Sequence, residues 1–78
     1  MAARVQLWMV EQRWEVPIVG SFPVRSVVEA RSRREAAKGA ANAIVEAVSN
    51  LLGGKVRGSA IGVPVVLYPI ADGPMAKR

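Results

Sequence analysis

Residues 32–54 constrain this chain more than any other stretch, because a helix start, a helix body and a helix stop follow one another there. Ser32 is a strong N-cap type, and Glu35 follows three residues later. Ser32-Arg33-Arg34-Glu35 therefore reads as a capping box, in which the hydroxyl accepts from the N–H of Glu35 and the carboxylate reaches back to the N–H of Ser32. Residues 36–52 are rich in alanine and free of proline, and Gly53 and Gly54 supply the left-handed geometry that ends helices. The spacing predicts a helix of about 20 residues.

At about 100° per residue, its apolar side chains fall on two flanks. One is bulky: Ile44, Val48, Leu51 and Leu52, with Ala41 and Val45 beside it. The other is small: Ala36, Ala40, Ala43 and Ala47, bordered by Gly39. Together they span about 200° of the wheel, where an ordinary surface helix needs roughly 100° or a little more. The bulky flank is expected on this chain's own sheet. The alanine flank is expected to meet a second helix from another copy, giving a homodimer. The plainer alternative is that alanines are good helix formers that tolerate exposure.

Arg33 and Arg34 fall in the first turn, and Arg31 just precedes it. Exposed cations there oppose the helix dipole by about 0.3–1 kcal/mol each. No local compensation is visible. Free N–H groups at a helix start and neighbouring guanidinium groups suit phosphate. The alternative is a solvated cluster, partly neutralised by Glu29 and Glu35.

A chain of 78 residues makes one domain, and a core this small gains from oligomerisation. The domain is expected over residues 1–70, with 71–78 as a flexible solvated tail. There is no cysteine, hence no disulfide framework and no thiolate metal site. There is no histidine, which removes the commonest general base and metal ligand. The six acids, Glu11, Glu15, Glu29, Glu35, Glu46 and Asp72, form no obvious catalytic pair. Neither catalysis, nor a cofactor, nor a metal is expected. The net charge of +5 favours polyanionic partners such as RNA, DNA or an acidic protein surface. The longest apolar run, residues 61–70, is too short to span a bilayer and contains Pro64 and Pro69. Arg4, Glu11 and Arg13 interrupt any signal-peptide core, so a cytoplasmic protein is expected.

Before the helix, residues 4–16 are rich in β-formers, with Val5, Leu7 and Met9 on one side and Trp8, Val10, Trp14 and Val16 on the other. Both faces are partly apolar, as in a central strand. Residues 17–23 hold Gly20, Ser21 and two prolines and read as a hairpin connection. Residues 22–30 form a second strand, with Val24, Val28 and Ala30 on one face and Arg25, Val27 and Glu29 on the other. After the helix, residues 53–59 make a flexible basic loop, and residues 60–70 a third strand. There Ile61, Val63, Val65 and Leu67 are expected to point inward, and Pro64 marks an edge. The order is β-β-α-β. A right-handed crossover gives an α+β fold with a three-stranded antiparallel sheet, order 2-1-3, and the helix on one face. The other face is expected to carry Trp8 or its neighbours and to be a further interface if open.

The loop Gly53-Gly54-Lys55-Val56-Arg57-Gly58-Ser59 fails the Walker pattern, since it follows a helix and precedes a strand. Lys55 and Arg57 remain candidate phosphate contacts. Trp8, Trp14, Phe22 and Tyr68 could stack on bases, although aromatics in so small a domain more often form the core. The run Gly20-Ser21-Phe22-Pro23 followed by Ser32-Arg33-Arg34-Glu35-Ala36 resembles the strand-to-helix passage of HicB-type antitoxins over roughly a third of the chain. The spacing is shorter and the Pro-Gly-Cys-like segment is missing. The β-β-α-β order is also similar to that of some small ribosomal proteins. Neither resemblance is specific enough to assign a family.

Two functions follow. In one, a basic module self-associates and contacts nucleic acid or a ribonucleoprotein through Arg31, Arg33, Arg34, Lys38, Lys55 and Arg57. In the other, a structural or interaction protein, such as a phage or viral accessory subunit or an inhibitor of a host protein, acts through protein contacts alone.

Overall fold

The computed structural model describes residues 4–72, so residues 1–3 and 73–78, which hold most of the expected tail, lie outside the described residues. The elements are β1 (Gln6–Val16), β2 (Gly20–Ala30), α1 (Arg33–Leu51) and β3 (Ser59–Asp72). The strands form one antiparallel sheet in the order β2-β1-β3, and α1 packs on one face, an α+β fold.

Alternation along β1 builds the core. Trp8, Val10, Trp14 and Val16 are buried beneath the helix, so the tryptophans lie on the covered face and not on the open one. From β2, Val24 and Ala30 are buried on the same side, with Phe22 and Val28 packed against them. β2 starts two residues earlier than its sequence suggests. The turn is only residues 17–19, closed by the Val19 N–H donating to the Val16 carbonyl at 3.1 Å.

β3 departs furthest from expectation. Its pairing with β1 shifts three times, between Leu7 and Trp8, Met9 and Val10, and Glu11 and Arg13. The first two shifts each add one residue to β3 and reset which side the next side chain takes, while the third adds two and leaves the alternation in phase. Val66, opposite Val10, is therefore the buried residue. Ile61, Val63 and Val65, expected inward, are 42%, 77% and 52% exposed. The largest shift centres on Gly62, whose φ of 76° is left-handed. Its carbonyl accepts from Gln12 Nε2 at 2.9 Å, which satisfies the buried polar side chain of the covered face.

The helix ends are built as residue types demand. Ser32 Oγ accepts from the Glu35 N–H at 3.1 Å. The Glu35 carboxylate reaches one residue further back than a strict capping box, accepting from the Arg31 N–H at 2.7 Å. At the other end the Gly53 N–H donates to the Asn50 carbonyl and the Gly54 N–H to that of Ser49, the two bonds of a Schellman motif. The buried stripe is Ala36, Ala40, Ile44 and Val48, at i, i+4 spacing. Burying Ile44 or Val48 fully contributes about 1.5–3 kcal/mol each, while the alanines let the backbone approach the sheet. Leu51 and Val45, expected on the inner flank, are largely exposed.

Candidate functional site

The six cations proposed for anion contact do not form one set. Arg33 is exposed like its neighbours, yet its guanidinium is tied to the fold. Its Nη1 donates to the Val66 carbonyl at 2.6 Å, and its guanidinium lies 5.7 Å from the centre of the Trp8 ring. These contacts tie the helix start to β3 and β1 and supply the compensation that the sequence hides. Arg31, Arg34 and Lys38 are exposed around the same helix end. Lys55 and Arg57 are exposed beyond the other end. A helix of 19 residues separates the two groups by about 28 Å at 1.5 Å per residue.

The basic loop is anchored where it enters β3. The Arg57 carbonyl accepts from Trp14 Nε1 at 2.6 Å. Gly58 follows at φ +84°, and a Cβ there would run into the Glu15 carbonyl oxygen. Main chain thus crosses main chain at a place only glycine can occupy.

The alanine flank also divides. Ala36 and Ala40 are fully buried on the chain's own sheet and present nothing to a partner. Ala43 and Ala47 sit at the margin of the core. With Gly39 and Val28, Ala43 lines a groove of about 500 Å³ that runs between the helix and the edge of β2. A Cβ at Gly39 would stand 3.3 Å from Val28 Cγ1, a tight contact.

The open sheet face is the feature the sequence did not resolve. Val27, Ile61, Val63, Val65 and Tyr68 are exposed on it, with Leu7 and Met9 half-buried. The bulge at Gly62 leaves a depression of about 280 Å³ lined by Glu11, Arg13, Ile61, Val63 and Leu67. Charge is sorted between the two layers. The open face carries Arg13 and Arg25 against Glu11, Glu15 and Glu29, and Arg25 Nε pairs with Glu11 Oε1 at 3.5 Å. The helix layer and its flanking loops carry six cations against Glu35 and Glu46. Of the four aromatics, Trp8 and Trp14 are core, Phe22 packs against it, and Tyr68 is exposed on the open face.

Among the described residues, no helix is long and apolar enough to cross a membrane, which says nothing of strands, and no group of three or more acids could hold a metal ion. Comparison with protein-family models, with curated proteins and with solved structures gives no match.

Proposed function

We propose that this protein is a non-enzymatic binding module that self-associates and contacts nucleic acid through its helix layer. The sorting of charge carries the reading. Surplus positive charge lies on the helix side, where Arg31, Arg34, Lys38, Lys55 and Arg57 are exposed, while the open sheet face is apolar and mixed in charge. A polyanion is drawn to the first surface and gains nothing from the second. Arg33 lies among these cations and fixes the helix start through its bond to the Val66 carbonyl. A purely protein-binding role, in which charge serves only solubility, is the alternative, favoured by the exposed apolar residues of the open face.

The test is binding of a random duplex oligonucleotide with salt as the variable. Engagement of three of these cations lowers affinity about 40-fold between 50 and 200 mM salt. Arg34→Glu with Lys38→Glu is expected to weaken binding at low salt by at least tenfold while leaving the circular dichroism unchanged. Absence of binding at 50 mM salt would leave only the protein-binding role.

A further inference from the structure

We infer that a second copy of this chain adds to the free edge of β2, antiparallel to its own β2 about a two-fold axis at Val27, to give one six-stranded sheet. The inference rests on the self-association proposed above and names its surface.

The two edges of the sheet differ in kind. β3 is blunted: three register shifts, Pro64 and Pro69 interrupt it, and Arg33 occupies the Val66 carbonyl. These are devices by which proteins stop an edge from templating another strand. β2 has none of them beyond Pro23 near its start. It runs 11 residues in unbroken register with β1. Pro23 has no N–H, so its place in that ladder puts its nitrogen on the outer side of β2. Alternation then turns the backbone N–H and C=O of Arg25, Val27 and Glu29 outward as well. The groove beside this edge is lined by Val27 and Val28 from the strand and by Gly39 and Ala43 from the helix. Gly39 and Ala43 keep it shallow on the helix side, with Asn42, Val45 and Glu46 lining the rest.

The sequence of β2 is self-complementary in charge about one residue. With the axis at Val27, Arg25 of each copy stands opposite Glu29 of the other, and the two Val27 side chains meet between them. These three positions share the open face. Moving the axis one residue toward the C-terminus, to Val28, sets Arg25 against Arg31, which is repulsive. The Arg25 side chain is 58% exposed and already touches Glu11, so it can bridge two acids. Opposite charges paired across strands contribute about 0.2–1 kcal/mol each. The backbone hydrogen bonds between the two β2 strands supply the remainder. Both helices then lie on one face of the joined sheet and run antiparallel, with Gly39 and Ala43 nearest the axis. Each Arg31–Arg34–Lys38 end approaches the partner's Lys55–Arg57 loop, which makes two composite basic patches from groups about 28 Å apart in one chain.

The test uses charge exchange and one cross-link. Arg25→Glu puts acids at both positions, and Glu29→Arg puts cations at both, so each variant alone is expected to run at the 8.3 kDa chain mass by light scattering. An equimolar mixture of the two is expected to restore twice that mass, because each supplies the charge the other lacks. Circular dichroism of each variant checks that the fold persists. Independently, Val27→Cys places thiols at paired positions about 5.5 Å apart between Cα atoms, within disulfide range. Air oxidation should cross-link it quantitatively at micromolar concentration, while Val63→Cys on the open face should not cross-link. A wild-type dimer that is not cross-linked by Val27→Cys, or that survives both single charge variants, overturns the β2 pairing and leaves self-association standing. A wild-type chain that is monomeric at every concentration overturns both.

Discussion

The covered and open faces of the sheet both carry several valines and at least one aromatic, yet they follow different rules. On the covered face Trp8, Val10, Trp14, Val16, Val24 and Val66 are closed off from water, and its one buried polar group, Gln12, is matched to a carbonyl exposed by a bulge. On the open face, branched side chains alternate with five charges and remain in water. Apolar character alone therefore does not locate the core. What decides is where the helix lies and where the charges fall, because a charge tolerated on one face would be unpaired and dry on the other.

Adjacent residues of β1 put the largest expected effect on this contrast. Val10→Asp places a carboxylate at a fully buried site and is expected to abolish cooperative thermal unfolding by circular dichroism. Met9→Asp, one residue away on the open face, is expected to cost about 1 kcal/mol or less in a urea titration. Equal effects would mean that the open face is covered in solution. Neighbouring arginines separate structure from function at the middle of the range. Arg33→Met loses the bond to the Val66 carbonyl and is expected to cost about 1–3 kcal/mol of stability. Arg34→Met is expected to change stability by about 0.5 kcal/mol or less and to lower nucleic-acid affinity instead. The smallest expected effect belongs to Val63→Ser at the crest of the β3 bulge. It should move stability by less than about 0.5 kcal/mol and leave the oligomeric mass unchanged. A mass change would point to stacking of open faces as the mode of assembly.

Much of the fold was legible in the sequence, and the part that was not has a single cause. The capping residues and terminal glycines delimited α1 because helix ends are local chemistry. Alternation sorted the residues of β1 and β2 onto the two sides because their mutual register is unbroken. In β3 counting by two grouped Ile61, Val63 and Val65 correctly, but their side is set by pairing with β1, Ile61 beside Arg13 and Val65 beside Glu11 on the open face, and no local signal announces that. Among the candidate site residues, what the sequence hid was also long-range. Arg33 broke a helix-terminus rule whose compensation lies 33 positions away at Val66. Ala36 and Ala40 looked spare on the helical wheel because the wheel does not say where the sheet lies beneath it.

The strand order has a consequence for how the molecule comes into being. β1 is the earliest of the four elements in the chain and the middle one in the sheet. Its hairpin with β2 is complete once residue 30 has emerged, but the other side of its ladder waits for β3, which ends at Asp72. At synthesis rates of about 5–20 residues per second, β1 stays half-paired for roughly 2–8 s, with the covering helix still forming. During that interval Trp8 and Trp14 are exposed on a hairpin that has both edges free. The nascent chain is then most open to capture by a neighbour or a chaperone, and the arrival of β3, led in by Gly58, ends it.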